Sequence, residues 1–290
     1  MSEAKGKIGV VGAGLMGAEI ALVYALGGYD VLLADRGEAE LRSALDRLAG
    51  ILDKGIARGF YKEAEKPAAL ARIAITTDLA RFSDRDMVTE AVFEDETVKA
   101  EICRTLDRVC RPDALIASNT SSIAISALAS YLSLERRPNF LGTHYFSPVS
   151  RMKLVEVIPQ FDSSEATVER AMEYCRATGK TPIRVKDVVG FAVNRVLHAF
   201  VIEAIKLVEE GVATPEDIDL ACKLGLGHPI GPFELMDVTT SNLCLQVQEI
   251  LQEAYGERFR PPALLKQRVK AGYLGRKAGR GWLKSAERKL

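Results

Sequence analysis

Few side chains in this sequence could take up a proton near neutral pH, because it contains only three histidines. His144 ends one short apolar run, and Glu156 lies in the next one. If the two runs pair as antiparallel strands around a turn centred near Ser150, His144 and Glu156 are directly opposite each other. A buried carboxylate beside an imidazole fixes the tautomer of the imidazole and favours its protonated form. A group that takes up the proton of an alcohol needs both properties. The spacing is equally compatible with a core histidine hydrogen-bonded to a convenient carboxylate.

Two further polar groups could complete such a site. Ser118–Ser122 (SNTSS) directly follows another apolar run, and the carboxyl ends of strands are where doubly wound sheets bind ligands. Any one of these residues could instead be a helix N-cap. Asn194 lies one turn into a long helical pattern, where we expect it to face a cleft between two domains; a solvated or capping amide is the alternative.

A glycine-rich segment predicts a dinucleotide site. The pattern G-x-G-x-x-G stands between the first strand and the first helix, the context that the motif requires, and comprises Gly12, Ala13, Gly14, Leu15, Met16 and Gly17. Its glycines allow a tight turn and the approach of a pyrophosphate to the helix N-terminus. Asp35 can accept hydrogen bonds from ribose hydroxyls and repel a 2′-phosphate, which favours NAD over NADP. Arg36 leaves NADP open, since a guanidinium could pair with that phosphate.

The remaining histidines and the cysteines are predicted to be structural. His198 falls on an apolar helical face, where a buried core residue is expected, and His228 stands in a Gly-His-Pro turn. No cluster has the spacing of zinc ligands, so we predict no metal site. Five cysteines without a Cys-x-x-Cys pair indicate a reducing compartment. Cys103 and Cys110 are expected on one buried helical face.

Alternating strands and helices must position the residues before about 187. We predict strands at Lys7–Val11, Asp30–Asp35, Ile73–Thr76, Met87–Val92, Ala114–Ser118, Phe140–Tyr145 and Leu154–Ile158, and helices at Met16–Leu26, Glu38–Leu52 and Thr97–Val109. This alternation is typical of a mainly parallel sheet covered on both faces. The first part of the chain is therefore predicted to be a Rossmann-like, doubly wound α/β domain.

The pattern becomes purely helical after Lys186. A long helical pattern runs from Gly190 to Val208, Thr214 has the features of a helix N-cap, and further helices are predicted at Asn242–Ala254 and Pro262–Ala271. We therefore predict two domains: an α/β domain at residues 1–187 and a smaller all-helical domain at 188–290. The last residues, 284–290, are expected to form a frayed charged tail.

Composition excludes several classes of protein. With 48% hydrophobic and 27% charged residues, the sequence is ordinary for a soluble globular chain. Thirty-nine basic and thirty-nine acidic residues cancel, so no overall field attracts nucleic acid or an anionic membrane. No apolar run approaches the length of a membrane span, and the first residues resemble neither a signal nor a transit peptide. The expected location is the cytoplasm.

Taken together, the motifs closely resemble those of the L-3-hydroxyacyl-CoA dehydrogenase family over nearly the whole chain. The similar stretches are Gly12–Gly17 (GAGLMG), Glu90–Asp95 (EAVFED), Ser118–Ile123 (SNTSSI), Gly142–Pro148 (GTHYFSP), Met152–Ile158 (MKLVEVI), Gly190–Arg195 (GFAVNR), Gly231–Leu235 (GPFEL) and Leu274–Gly281 (LGRKAGRG). The resemblance implies oxidation of the C3 hydroxyl of a 3-hydroxyacyl-CoA thioester with NAD. It also implies a homodimer joined through the helical domain.

The resemblance assigns roles to individual residues. It implies that His144 is the general base, that Glu156 orients it, and that Ser121 and Asn194 hydrogen-bond the reacting oxygen. It adds contacts to NAD beyond the glycine segment and Asp35, from Glu94, Lys99, Ser121 and Lys277. A Tyr-x-x-x-Lys pair of the short-chain dehydrogenase kind, Tyr273 and Lys277, is rejected because its glycine-rich surroundings oppose a helix.

The sequence departs from the family pattern at two places. Ser147 replaces the asparagine of stand-alone members and resembles multifunctional β-oxidation proteins, which leaves acyl-chain length and one cofactor contact open. Thr239–Asn242 replaces the usual Gly-Leu-Asp, a change that could alter the dimer interface or the acyl pocket.

Three alternatives follow from these patterns. Four basic residues at intervals of four could meet CoA phosphates or form an ordinary solvated face, namely Lys54, Arg58, Lys62 and Lys66. A second enzymatic possibility is an NAD-dependent dehydrogenase of a free hydroxy acid or sugar acid. A non-catalytic dinucleotide-binding protein is the alternative of another class.

Overall fold

The computed structural model describes residues 4–284 of this chain. The chain divides into two compact units, Met1–Val188 and Val189–Leu290. The tail predicted at 284–290 lies, except for Lys284, outside the described residues. Each unit has its own hydrophobic core.

The first unit is built on one eight-stranded sheet. Its strands are β1 (Lys7–Val11), β2 (Asp30–Ala34), β3 (Ile73–Thr76), β4 (Met87–Glu90), β5 (Leu115–Ser118), β6 (Phe140–Tyr145), β7 (Leu154–Pro159) and β8 (Thr181–Arg184). They lie in the order β3-β2-β1-β4-β5-β6-β7-β8, parallel from β1 to β6, with β7 antiparallel to β6. The predicted doubly wound, mainly parallel sheet is therefore confirmed.

Helices cover this sheet. They are α1 (Leu15–Leu26), α2 (Glu38–Ala57), α3 (Glu65–Leu70), α4 (Glu96–Val109), α5 (Ile125–Ala129) and α6 (Glu165–Ala177). Every residue of β4, β5 and β6 is buried, because helices pack against both faces of the central strands. The sheet centre is consequently a rigid base for side chains at the strand ends.

Several boundaries differ from those predicted. β4 ends at Glu90 rather than Val92, because the backbone N–H of Val92 donates to the Glu90 side chain instead of continuing the ladder. α2 continues past Leu52 to Ala57, with Gly55 packed against Tyr61. The predicted row of basic residues is therefore divided between different elements. Lys66, on α3, pairs with Asp53 at 2.6 Å.

Within its described residues, the regular structure of the second unit is helical apart from one isolated antiparallel bridge between Gly275 and Arg280. Its helices are α7 (Val193–Glu209), α8 (Pro215–Gly225), α9 (Pro232–Thr239), α10 (Ser241–Tyr255) and α11 (Ala263–Lys270). α7 begins three residues after the predicted Gly190, because Gly190 and Phe191 have φ of 74° and 45°, outside the helical region. Thr214 caps α8 as predicted, its hydroxyl accepting from the Asp217 N–H at 3.2 Å. No helix among the described residues is long and apolar enough to cross a membrane.

Candidate active site

The parallel strands bring the predicted site residues of the first unit to one edge of the sheet. β1, β4, β5 and β6 are adjacent and parallel, so their carboxyl ends meet there. The strand order reverses between β1 and β4, and doubly wound sheets bind ligands outside the carboxyl ends at such a point. The glycine segment follows β1, and the Ser118–Ser122 stretch follows β5.

The three glycines after β1 have different surroundings. Gly12 has φ of 105°, and a Cβ there would lie 2.5 Å from the carbonyl oxygen of Ala91. A Cβ on Gly17 would lie 1.9 Å from the Gly12 carbonyl oxygen. Gly14 has nothing within 4 Å of such a Cβ. The first two glycines therefore permit close backbone packing, and Gly14 leaves space above the N-terminus of α1, where a pyrophosphate fits.

The side chain of Asp35 is hydrogen-bonded to the backbone of the glycine segment. Its Oδ2 accepts a hydrogen bond from the Ala13 N–H at 2.6 Å, and its Oδ1 accepts from the Arg36 N–H at 2.8 Å. The guanidinium of Arg47 donates to the Ala13 carbonyl at 2.7 Å. The sequence reasoning did not foresee these contacts. They fix the loop in which a dinucleotide phosphate would lie.

His144 and Glu156 form the pair that their spacing predicts. They are direct partners in the antiparallel register of β6 and β7, and His144 Nδ1 lies 2.8 Å from Glu156 Oε2. The exposed fraction is 4% for His144 and 0% for Glu156, so the carboxylate meets the imidazole away from water. On the other side of the ring, Nε2 lies 3.0 Å from the Ser121 hydroxyl. Both ring nitrogens therefore have hydrogen-bonding partners, and Ser121 stands where a second group would touch an oxygen bound at Nε2.

Glu94 holds the loop that carries Ser121. Its Oε1 accepts from the backbone N–H groups of Ser121 and Ser122, each at 2.9 Å, and from the hydroxyls of Thr120 and Ser122 at 2.6 and 2.8 Å. Burial alone would raise the pKa of this carboxyl, but the Lys99 ammonium and these hydrogen bonds hold the pKa below its usual range. Glu94 is therefore ionised near neutral pH and fixes the loop.

Lys99 is fully buried, with its ammonium 2.8 Å from Glu90 Oε1 and 3.3 Å from Glu94 Oε2. A direct contact between Lys99 and a dinucleotide would require this cluster to open. Sequence reasoning missed Glu90 as a site residue. The available signal was a carboxylate ending an apolar strand nine residues before a helical lysine.

The remaining predicted residues lie in the second unit. Asn194 is the second residue of α7, and Lys277 lies in a single 3₁₀ turn at Arg276–Ala278, so Tyr273 and Lys277 do not share an α-helix. The departure at Thr239–Asn242 is the junction between α9 and α10, where the Thr240 hydroxyl accepts from the Leu243 N–H at 3.2 Å.

Of the other histidines, His198 is buried and His228 is exposed, and all five cysteines are buried. His198 is buried on α7, and burial lowers its pKa to about 4. The ring of His228 packs edge-on against Phe200. All five cysteines are buried without disulfides, and burial raises the pKa of Cys103 to about 12. Within residues 4–284, no group of three His, Cys, Asp or Glu side chains could hold a metal ion.

Comparisons with known proteins bear on this arrangement. Residues 7–188 match the model of the 3-hydroxyacyl-CoA dehydrogenase NAD binding domain, and residues 190–285 match that of its C-terminal domain. A probable 3-hydroxybutyryl-CoA dehydrogenase of Deinococcus radiodurans is 41% identical over 96% of this chain and 99% of its own. A 3-hydroxybutyryl-CoA dehydrogenase of Mycobacterium tuberculosis is 42% identical over 97% and 99%.

A solved structure has the same fold. It is that of (S)-3-hydroxybutyryl-CoA dehydrogenase from Ralstonia eutropha, which superposes with a TM-score of 0.90 at 39% identity and covers 95% of this chain and 97% of that one. The similarity therefore extends over both units.

Proposed function

This chain belongs to the 3-hydroxyacyl-CoA dehydrogenase family, and we propose that His144, Glu156, Ser121 and Asn194 carry the reaction of that family on it. The chain is an NAD-dependent oxidoreductase. Its reaction transfers a hydride between NAD and C3 of a 3-hydroxyacyl-CoA thioester. The observation that carries this assignment is the imidazole of His144, which lies between Glu156 and Ser121 at the carboxyl ends of the parallel strands, where the glycine segment begins.

His144 takes up the proton of the substrate's C3 hydroxyl as the alcohol is oxidised. The acceptor atom is Nε2, because Nδ1 faces Glu156. The buried carboxylate keeps the ring in this orientation and stabilises the positive charge that the ring gains. Ser121 donates a hydrogen bond to the same substrate oxygen, and Asn194 of α7 supplies a second one. In the reverse direction, the imidazolium returns the proton to the oxygen.

The residues around Gly14 fit the cofactor. NAD, when bound, supplies the hydride acceptor. Gly12–Gly17 and the N-terminus of α1 would hold its pyrophosphate, and Asp35 at the end of β2 would accept hydrogen bonds from the adenosine ribose. Glu94, Ser121 and Lys277 complete the proposed set of NAD-binding residues. Lys99 joins them only if its ion pairs with Glu90 and Glu94 open.

Three finer features belong to the same proposal. Lys54, Arg58, Lys62 and Lys66 are the basic residues that would meet CoA phosphates, and Lys66 would first have to leave its ion pair with Asp53. A homodimer would form through the second unit, whose surface exposes apolar side chains such as Leu224. The charge balance and buried thiols support a cytoplasmic location.

A substrate panel tests the proposal. Purified protein is given 3-hydroxyacyl-CoA thioesters of increasing chain length, the free acid 3-hydroxybutyrate, and NAD or NADP, and NADH or NADPH absorbance is followed. We expect turnover of (S)-3-hydroxybutyryl-CoA with NAD and little with the free acid. Faster turnover of a free hydroxy acid would overturn the thioester assignment, and no turnover of any substrate would favour a non-catalytic dinucleotide-binding protein.

A further inference from the structure

Glu90 is a buried carboxylate close to the candidate site that does not belong to the His144–Glu156 pair. Glu90, the last residue of β4, has no exposed surface, and every hydrogen bond that it accepts comes from a residue near the site. We propose that Glu90 is a positioning residue that sets the contact between Ser121 and His144. This inference rests on the proposed function for its catalytic meaning, although the contact itself can be measured without turnover.

Glu90 joins three separate segments. Its Oε2 accepts from the Ser118 hydroxyl at 2.6 Å, at the point where β5 ends and the Ser121 loop begins. Its Oε1 accepts from the Lys99 ammonium of α4 at 2.8 Å and from the Val92 N–H at 2.7 Å. One carboxylate therefore fixes the end of β5, a helix, and the segment that leads to Glu94.

The contacts continue from Glu90 to the imidazole by two routes. In the first, Lys99 reaches Glu94 at 3.3 Å, and Glu94 accepts from the Ser121 N–H at 2.9 Å. In the second, Ser118 leads through the loop backbone to Ser121. Both routes end at the Ser121 hydroxyl, 3.0 Å from His144 Nε2. A small displacement of Glu90 would therefore move the Ser121 hydroxyl, which hydrogen-bonds the same substrate oxygen as His144.

Glu90 could support the fold without setting the contact between Ser121 and His144, and the experiment must distinguish these two roles. A buried ion pair such as Glu90 and Lys99 is costly to break, so loss of stability alone would not distinguish the two. The readout must therefore report on His144 itself. The chain has three histidines, so the ¹⁵N signal of the His144 Nε2 can be identified by its loss in His144→Gln.

The experiment compares Glu90→Gln with Ser121→Ala by ¹⁵N NMR of labelled histidine, together with kcat. We expect Glu90→Gln to shift the His144 Nε2 signal in the same direction as Ser121→Ala, and to lower kcat about 10- to 100-fold. Glu101→Gln removes an exposed carboxylate from the same helix as Lys99 and serves as the matched control, with no shift expected. If Glu90→Gln does not fold, Ser118→Ala, which removes a single hydroxyl, replaces it with the same expected shift.

The outcomes separate the two proposals. A folded Glu90→Gln variant with a lowered melting temperature but an unmoved His144 signal and wild-type kcat would overturn the positioning role. If the wild-type protein turned over none of the substrates, the proposed function would fail, while the NMR comparison would still decide the role of Glu90.

Discussion

Two histidines are buried in this molecule, and their surroundings differ completely. His144, at the sheet edge of the first unit, has Glu156 on one ring nitrogen and Ser121 on the other. His198, in the helical unit, lies 3.7 Å from the thiol of Cys244, and burial lowers its pKa to about 4. Burial alone thus keeps the imidazole of His198 neutral near pH 7, whereas His144 has a carboxylate beside it that can stabilise a positive charge.

Three buried carboxylates, two in the first unit and one in the second, show a related contrast. In the first unit, Glu90 and Glu156 face ionisable side chains. In the second unit, Asp219 accepts only from the backbone N–H groups of Phe233 and Glu234 at the start of α9, and burial raises its pKa. Glu90 and Glu156 thus each face a basic side chain next to the candidate site, whereas Asp219 satisfies the first N–H groups of a helix.

After substitution of His144 itself, the largest effect is expected at its partner Glu156. Glu156→Gln should lower kcat about 100-fold, because the amide cannot stabilise the imidazolium that forms on His144. NADH affinity, measured by fluorescence titration, should change little. If Glu156→Gln kept the wild-type kcat, the role of Glu156 would be structural and not catalytic.

The pH dependence of stability should reveal His198. Because its pKa is about 4 in the folded protein against 6.5 for the unperturbed group, the unfolded chain takes up the proton first as pH falls. Its contribution to stability is therefore complete above about pH 6.5 and is lost as pH falls toward about 4, a change of about 3 kcal/mol. Denaturant titrations of wild type and His198→Gln should differ by this amount. If the free energy of unfolding depended on pH equally in both proteins, the lowered pKa of His198 would be refuted. His228→Gln, which changes an exposed histidine, is the control.

A smaller effect is expected at the cofactor edge. Asp35→Asn should raise KM for NAD about tenfold, since it loses a ribose acceptor and weakens the bond to the Ala13 N–H. Asp46→Asn, an exposed carboxylate on α2, is the matched control. An unchanged KM in Asp35→Asn would show that Asp35 only supports the loop.

The smallest effect on chemistry is expected in the second unit. Asp219→Ala should lower the free energy of unfolding by about 1 kcal/mol, because α9 loses its cap. Its kcat should stay within about twofold of wild type. A large fall in kcat without a loss of stability would show that Asp219 takes part in the reaction and is not only a helix cap.

The sequence predicted the parts of the fold that have strong local signals. Alternating apolar runs located β1 to β7, and the equal distance of His144 and Glu156 from Ser150 predicted their register, which the structure confirms. β8 was missed because it is an edge strand with exposed residues and a proline. α6 was missed although Ser164, which caps it, and the buried Val168, Ala171 and Cys175 have helical spacing.

The site was less predictable where it depends on contacts between distant segments. Asp35 was interpreted only as a ribose acceptor, yet it also accepts from Ala13. Glu90 and Lys99 are nine residues apart and separated by a loop, so no periodic pattern joins them. Only the packing of α4 on the sheet brings the two charges together.

The role of His144 as proton acceptor is tested by measuring turnover and cofactor binding in one variant. His144→Ala should lower kcat for (S)-3-hydroxybutyryl-CoA about 100- to 10,000-fold while NADH binds with nearly wild-type affinity. A variant that binds NADH and keeps the wild-type rate would contradict the account, because the proton would then be taken by another group.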